Sequence, residues 1–255
     1  MGSILVKCAV ADMAIQWALW AVSSILQTEK FFDLAGSGTF IILTHLSYRW
    51  NGTNYLRQRI QAALVTTWGL RLGLFLLLRM LKEGKDRRFN QVRNNPKTFF
   101  VYWTFQGIWI FLTLLPTLIL NTQERDTPLC ARDFTGWVIW TLGFVLEAVA
   151  DHQKWKFKSN VKNAHKFIQK GLWAFSRHPN YLGEMLQWTG LFISASTVMT
   201  GIEYISIFSP VFLWFLLTHV SGIPMLEKHA MKKWGQDPAY LEYVRRTPAL
   251  WPFRF

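Results

Sequence analysis

The sequence predicts an all-α polytopic membrane protein with about seven transmembrane helices, and three observations carry that reading. Thr98 to Leu120 runs 23 residues without a charge, enough for a helix to cross a bilayer. Hydrophobic residues make up 51% of the chain and charged ones 17%, below the usual quarter, which excludes an ordinary soluble domain. Six further apolar segments recur at 4–26, 36–48, 60–81, 134–150, 182–200 and 204–222. The second is short enough to be tilted or re-entrant, which leaves six spans as the alternative.

The formal charge of +13 would point to nucleic acid in a soluble chain; in a membrane chain it asks which side holds the cations. With seven spans and the N-terminus outside, the inner loops (27–35, 82–97, 151–181, 223–255) carry 20 Lys and Arg against six outside. That asymmetry predicts an N-out, C-in integral membrane protein, of the endoplasmic reticulum or of a bacterial inner membrane, with no nucleic-acid partner. Two cysteines, Cys8 and Cys130, are too few for a disulfide framework, and no Cys/His cluster suggests a metal. Lys7 is the lone cation near the N-terminus and no cleavage site follows, so this stretch reads as the first span. One membrane-embedded domain over 1–255 is the simplest organisation.

Taken in order, the first span carries Asp12 and Gln16 one turn apart and near its outer end, a polar pair that satisfies itself, faces headgroup water or serves a function. The acidic-aromatic turn Leu26 to Asp33 follows. If it folds back under the bundle, Glu29 becomes a candidate proton donor in a low-dielectric pocket; otherwise it is a solvated loop charge. Asn51-Gly52-Thr53 fits a glycosylation acceptor in a loop too short to favour its use. The third span holds Arg71 near its middle, with Trp68 one turn before. An arginine at that depth needs a carboxylate, a ligand or water, with Asp12 and Glu184 as candidate carboxylates.

The run Lys82 to Asn90 contains Lys85, Arg87 and Arg88, with Arg93 just beyond. It is either a basic membrane anchor or a set of phosphate donors. At the end of the fifth span Glu147, Asp151, Lys154 and Lys158 follow spacings of four, three and four, which puts them on one helical stripe. Such a stripe forms a salt-bridged stem, or it lets Asp151 accept from a ribose hydroxyl while Lys158 meets a phosphate. Neither GxGxxG nor a Walker sequence occurs.

The densest stretch is Gly171 to Gly190, GLWAFSRHPNYLGEMLQWTG. Pro179 suits a helix's first turn, capped by Ser176 or His178. Asn180, Tyr181 and Glu184 then share a face, with Arg177 and His178 at the positive end. Either these residues only cap a membrane helix, or they hold an anionic ligand. The tail from Leu226 through Tyr240, Tyr243, Arg245 and Arg246 is amphipathic and basic, suited to a membrane surface or to a pocket wall.

Almost end to end, the chain resembles the DUF1295 branch of the steroid 5α-reductase-like membrane enzymes. The resemblance rests on LQTEKFFDL, WGLRLGLFLLLR, GKDRRF, YWTFQGIW, EAVADHQKWKFKSN, GLWAFSRHPNYLGE, SGIPMLEKHAMKKWG and RRTP. It implies a seven-helix reductase with a cytoplasmic-side cofactor cavity, which takes NADPH and passes hydride to an activated C=C bond of a steroid or other enone-type lipid. By the same resemblance Asp151 and Lys158 contact the nucleotide, and Asn180 and Glu184 hold the nicotinamide end. Arg71 and Arg245 or Arg246 bind the cofactor, and Glu29 engages the substrate carbonyl. Lys85, Arg87, Arg88, Lys154, Trp173, Arg177, His178, Tyr181 and Tyr240 complete the candidate cofactor set. Two departures stand out: Gln27-Thr28-Glu29 is one residue looser than the family's Gln-Glu pair, and Trp68 stands where a tyrosine is usual. An indole can donate a hydrogen bond but does not deliver a proton.

The alternative is an S-adenosylmethionine-dependent membrane methyltransferase of the isoprenylcysteine carboxyl methyltransferase type, whose members also carry RHPxYxG. Charge separates the two, because three phosphates call for the clusters at 82–93 and 154–158 and a cationic sulfonium does not. A non-enzymatic lipid-binding protein is the third reading.

Overall fold

The computed structural model describes residues 2–84 and 86–250, and every regular element among them is helical. The α-helices are α1 (Gly2–Ile25), α2 (Phe32–Asn51), α3 (Leu56–Glu83), α4 (Pro96–Asn121), α5 (Ala131–Ser159), α6 (Pro179–Ala195), α7 (Phe208–Phe215), α8 (Gly222–Trp234) and α9 (Pro238–Arg246). A 3₁₀ segment, Gly201–Ile207, leads into α7, and a π-helical turn, Leu216–Val220, joins α7 to α8.

Helical structure stands on each of the seven apolar segments. Five stretches are long and apolar enough to cross a membrane: α1, Leu56–Lys82, α4, α5 and Gly201–Trp234. They mark the chain as an integral membrane protein. The other two fall short for different reasons. α6 has 17 residues, below the ~20 that a span takes. α2 is long enough, but Asp33, His45, Arg49 and a set of hydroxyl residues dilute its hydropathy.

The chain packs as two compact units, Met1–Asp133 with Ser194–Ser209, and Phe134–Ile193 with Pro210–Phe255. In the first, α2 packs against α1, α3 and α4. Its buried face, Gly36, Ser37, Phe40, Leu43, Thr44 and Ser47, recurs every three or four residues and is mostly small, so the neighbours come close. Gly69 and Gly73 of α3 answer it: a Cβ on either would lie 3.0 Å from Ile41 or 3.1 Å from Ser37. Phe89, Val92, Phe99 and Trp103 close one end as an apolar cluster. At another end Arg57, fully buried, donates to both oxygens of Asp133 at 2.6 and 3.1 Å and to the Thr127 carbonyl, and pairs with Asp126. Asn51 is also engaged there, its amide donating to Thr53 and to the Gln123 carbonyl.

In the second unit α5 and α6 approach through glycines spaced seven apart on each helix, Gly136 and Gly143 against Gly183 and Gly190. A Cβ on Gly143 would lie 2.5 Å from the Gly183 carbonyl oxygen, and one on Gly183 2.6 Å from that of Gly143. No other residue type leaves the two backbones this near.

Candidate functional site

The second unit holds most of the residues singled out from the sequence, and its organising feature is the Ser176-Arg177-His178-Pro179 entry to α6. The backbone N–H groups of Arg177 and His178 donate to the carbonyls of Pro248 and Ala249 at 3.0 and 3.1 Å, and Ser176 Oγ donates to Ala249. Glu227 then fixes both side chains. Arg177 Nε donates to Glu227 Oε1 at 3.0 Å, and His178 Nε2 lies 2.7 Å from the same oxygen. Arg177 Nη1 donates to the carbonyls of Val244 and Thr247. Arg177 thus ties the entry of α6 to Glu227 and to the chain around Val244 and Thr247.

Around this anchor, Asn180 Nδ2 donates to Asp151 Oδ1 at 3.2 Å, joining the first turn of α6 to the stripe on α5. Glu147, one turn earlier on that stripe, accepts from Gln187 at 2.6 Å. Lys154 lies over the Trp173 ring at 4.4 Å, and the indole N–H of Trp173 donates to the Ala150 carbonyl at 3.1 Å. Tyr243 donates to the Trp173 carbonyl at 2.7 Å, and Tyr240 is buried beside it. Tyr181 stacks on His178, while Glu184 is half-buried on the next turn. Lys158, Arg245 and Arg246 are exposed; Arg245 pairs with Glu242 and Arg246 donates to Gln169. The structure thus brings Asp151, Lys154, Trp173, Asn180, His178 and Tyr181 together and leaves Lys158, Arg245 and Arg246 on the surface of this unit.

Burial pushes the His178 imidazole below its ordinary 6.5, and the Glu227 carboxylate offsets this only in part. Neutral His178 donates from Nε2 to Glu227, which leaves Nδ1 as a buried acceptor without a partner among the described residues. A lowered folded pKa means that the unfolded chain takes up a proton first. Stability is therefore full above about 6.5 and falls as pH drops through that value and below. Thermal denaturation in detergent checks this: the midpoint should fall between pH 7 and pH 5.5 in the wild type and fall less in His178→Gln.

The first unit holds the other candidates. Glu29 is 2% exposed, accepts from the Asp86 N–H at 3.0 Å and pairs with Arg93 at 3.1 Å. The turn therefore buries its carboxylate, and it does so with a cation. Arg88 does not stand open either. It pairs with Asp33 at 2.9 Å and with Asp86, and Arg79 reaches Asp33 at 3.3 Å. Burial alone would raise the Asp86 carboxyl, but hydrogen bonding and charge from Arg88, with the charge of Arg79, hold it below the usual carboxylate range. Trp68 is buried edge-on against Phe40, and the Arg71 guanidinium stands 6.0 Å from the Phe75 ring centre. Asp12 bonds Gln16 and has no cation in ion-pair range among the described residues, so it is not the partner that Arg71 needs. Lys85 and the Arg87 side chain lie outside the described residues.

Two residues that the sequence reading did not single out hold candidates in place: Glu227 takes up Arg177 and His178 in the second unit, and Asp86 takes up Arg88 in the first. Only Glu227 had a readable signal, as the one carboxylate between Gly222 and Lys233 in a cationic tail.

The chain is 25% identical over 263 residues to an uncharacterized protein of Schizosaccharomyces pombe, covering 89% of this chain and 74% of that one. Over 104 residues it is 29% identical to a probable O-methyltransferase of Ustilaginoidea virens, covering 41% of this chain and 34% of that one. Over 105 residues it is 26% identical to 3-oxo-5-alpha-steroid 4-dehydrogenase 1 of Rattus norvegicus, covering 41% of this chain and 39% of that one. The match therefore spans little more than a third of either named enzyme. No solved structure matches. The family described as protein of unknown function DUF1295 matches residues 19–247, and the chain belongs to it.

Proposed function

We propose that this protein is an NADPH-dependent membrane reductase that passes hydride to the activated C=C bond of an enone-type lipid. In this reading the N-terminus is outside, seven helices span the membrane, and the cofactor lies at the inner ends of α5 and α6. The observation that carries the reading is the Asp151–Asn180 pair one turn from Lys154 on Trp173. That donor set fits a phosphorylated dinucleotide: a carboxylate for ribose hydroxyls, lysines for phosphates, and aromatic walls. His178 Nδ1, a buried acceptor without a partner among the described residues, adds an open hydrogen-bonding position. NADPH supplies the hydride when bound; the protein's part is to orient the reactants and stabilise developing charge. Glu29, held by Arg93 in the first unit, is the proposed proton donor to the substrate carbonyl, and in the second unit Arg177 with Glu227 keeps the α6 entry rigid. The likeness to 3-oxo-5-alpha-steroid 4-dehydrogenase 1 supports this assignment.

A methyltransferase using S-adenosylmethionine is the second reading, favoured by the likeness to a probable O-methyltransferase. Variants of the α5 stripe separate the two. Asp151→Ala and Lys158→Ala should each weaken NADPH binding about tenfold or more, the worth of one charged hydrogen bond, measured by titrating the purified protein. Unchanged NADPH affinity in both would remove the stripe from the cofactor site.

A further inference from the structure

Where α2 ends and α3 begins, the first unit carries an open groove of about 340 Å³ that the reading above does not use. Small residues of α3, Ala62, Ala63 and Thr66, leave the room. His45 and Tyr48 of α2 and Arg59 of α3 supply the polar groups, and no carboxylate lines the groove among the described residues. Tyr48 donates its hydroxyl to Asn54. Arg59 is exposed and has neither an ion pair nor a hydrogen bond among the described residues. Two positions earlier, Arg57 does the opposite: it is fully buried and pairs with Asp126 and Asp133. Arg49, one turn beyond His45 on α2, is exposed and likewise unpaired among the described residues. The groove therefore has a positive mouth that nothing in this unit neutralises.

His45 deepens the polar part. It is exposed six positions before the end of α2, about 9 Å along the axis, where an imidazole facing lipid is costly unless something polar meets it. Its Nε2 lies 3.0 Å from Thr66 Oγ1, which leaves Nδ1 without a partner among the described residues. Below it the surface turns apolar. Ala63, Thr67, Leu70 and Leu74 recur every three or four positions on α3, and all four are exposed. The occupant that suits both parts is amphiphilic, with an anionic head and a hydrocarbon chain. A neutral lipid would leave both arginines unanswered.

We propose that this groove holds one anionic phospholipid. Its phosphate lies on Arg59 with Arg49 beside it, and an acyl chain follows Ala63, Thr67 and Leu70. Thr66 donates to His45 Nε2, so that His45 Nδ1 donates to an ester carbonyl below the phosphate. This inference stands on the first unit alone and does not depend on the reductase reading.

Quenching by chain-brominated lipids tests it on the full-length protein in nanodiscs. A fluorophore attached through Leu70→Cys in a Cys130→Ser background reports the groove, since the other cysteine, Cys8, is buried. One attached through Leu142→Cys, at an exposed position of α5, reports ordinary bilayer lipid. Brominated phosphatidylglycerol should show about fivefold higher relative affinity than brominated phosphatidylcholine at Leu70, the worth of one basic side chain against an anionic lipid. The two lipids should quench alike at Leu142. Arg59→Gln should bring the Leu70 preference close to that at Leu142. Ala63→Phe, which fills the groove and keeps both arginines, should do the same. Both positions are exposed, and an unchanged thermal midpoint verifies that the variants fold. Equal quenching by the two lipids at Leu70, an equal preference at Leu142, or a preference that survives either variant would each overturn the proposal.

Discussion

Gly183→Val should destabilise the protein by about 3 kcal/mol or more, the upper end of what overpacking costs. The Cβ it adds would sit 2.6 Å from the Gly143 carbonyl oxygen and 2.7 Å from the Glu147 N–H, both backbone atoms that no rotamer change can clear. α5 and α6 must then separate, which pulls apart Asn180–Asp151 and Gln187–Glu147 together. Size-exclusion profile and thermal midpoint in detergent report the loss, and Gly38→Val, where a Cβ meets nothing within 4 Å, serves as the matched control. Equal midpoints for the two variants would mean that the glycine seam is not a packing constraint.

Arg57→Ala should cost about 3–5 kcal/mol, because it leaves the Asp133 carboxylate uncompensated in a fully buried position. Asp133 would keep the Cys130 N–H at 3.0 Å and lose both guanidinium contacts. The cost lies chiefly in the stranded charge. Asp133→Asn in the Arg57→Ala background should therefore restore part of the midpoint. A double variant no more stable than Arg57→Ala alone would show that the pair matters for its shape and not its charge.

Neither of these effects could be read from the sequence, and the reason is the same in both cases. Long apolar runs and helix-period patterns are local, so α1, α3, α4 and α5 were legible, and Pro179 marked the start of α6 correctly. Partnership is not local. Gly143 and Gly183 are forty positions apart, and Arg57 and Asp133 further still, so their meeting depends on packing that no single stretch encodes. The same holds at the site. The heptapeptide from Arg177 to Gly183 announced itself through residue types. That Glu227 would take up Arg177 and His178, and that Asp33 and Asp86 would take up Arg88, needed the tertiary structure. Glu29 shows both sides. Its burial was one of the two readings that the acidic-aromatic turn allowed, whereas its pairing with Arg93 was not legible, since the 82–93 run offered several cations of equal standing.

The central claim is that the second unit holds a pyridine nucleotide. Thermal stabilisation of the purified protein by NADPH, NADH and S-adenosylmethionine, run in parallel, tests it most directly. At a hundredfold excess over its dissociation constant a ligand adds about 2.7 kcal/mol to stability, a shift that such an assay resolves. The account predicts a rise with NADPH, a smaller one or none with NADH, and none with S-adenosylmethionine, and it predicts that Asp151→Ala loses the NADPH shift. A rise with S-adenosylmethionine alone would contradict it and assign the chain to methyl transfer.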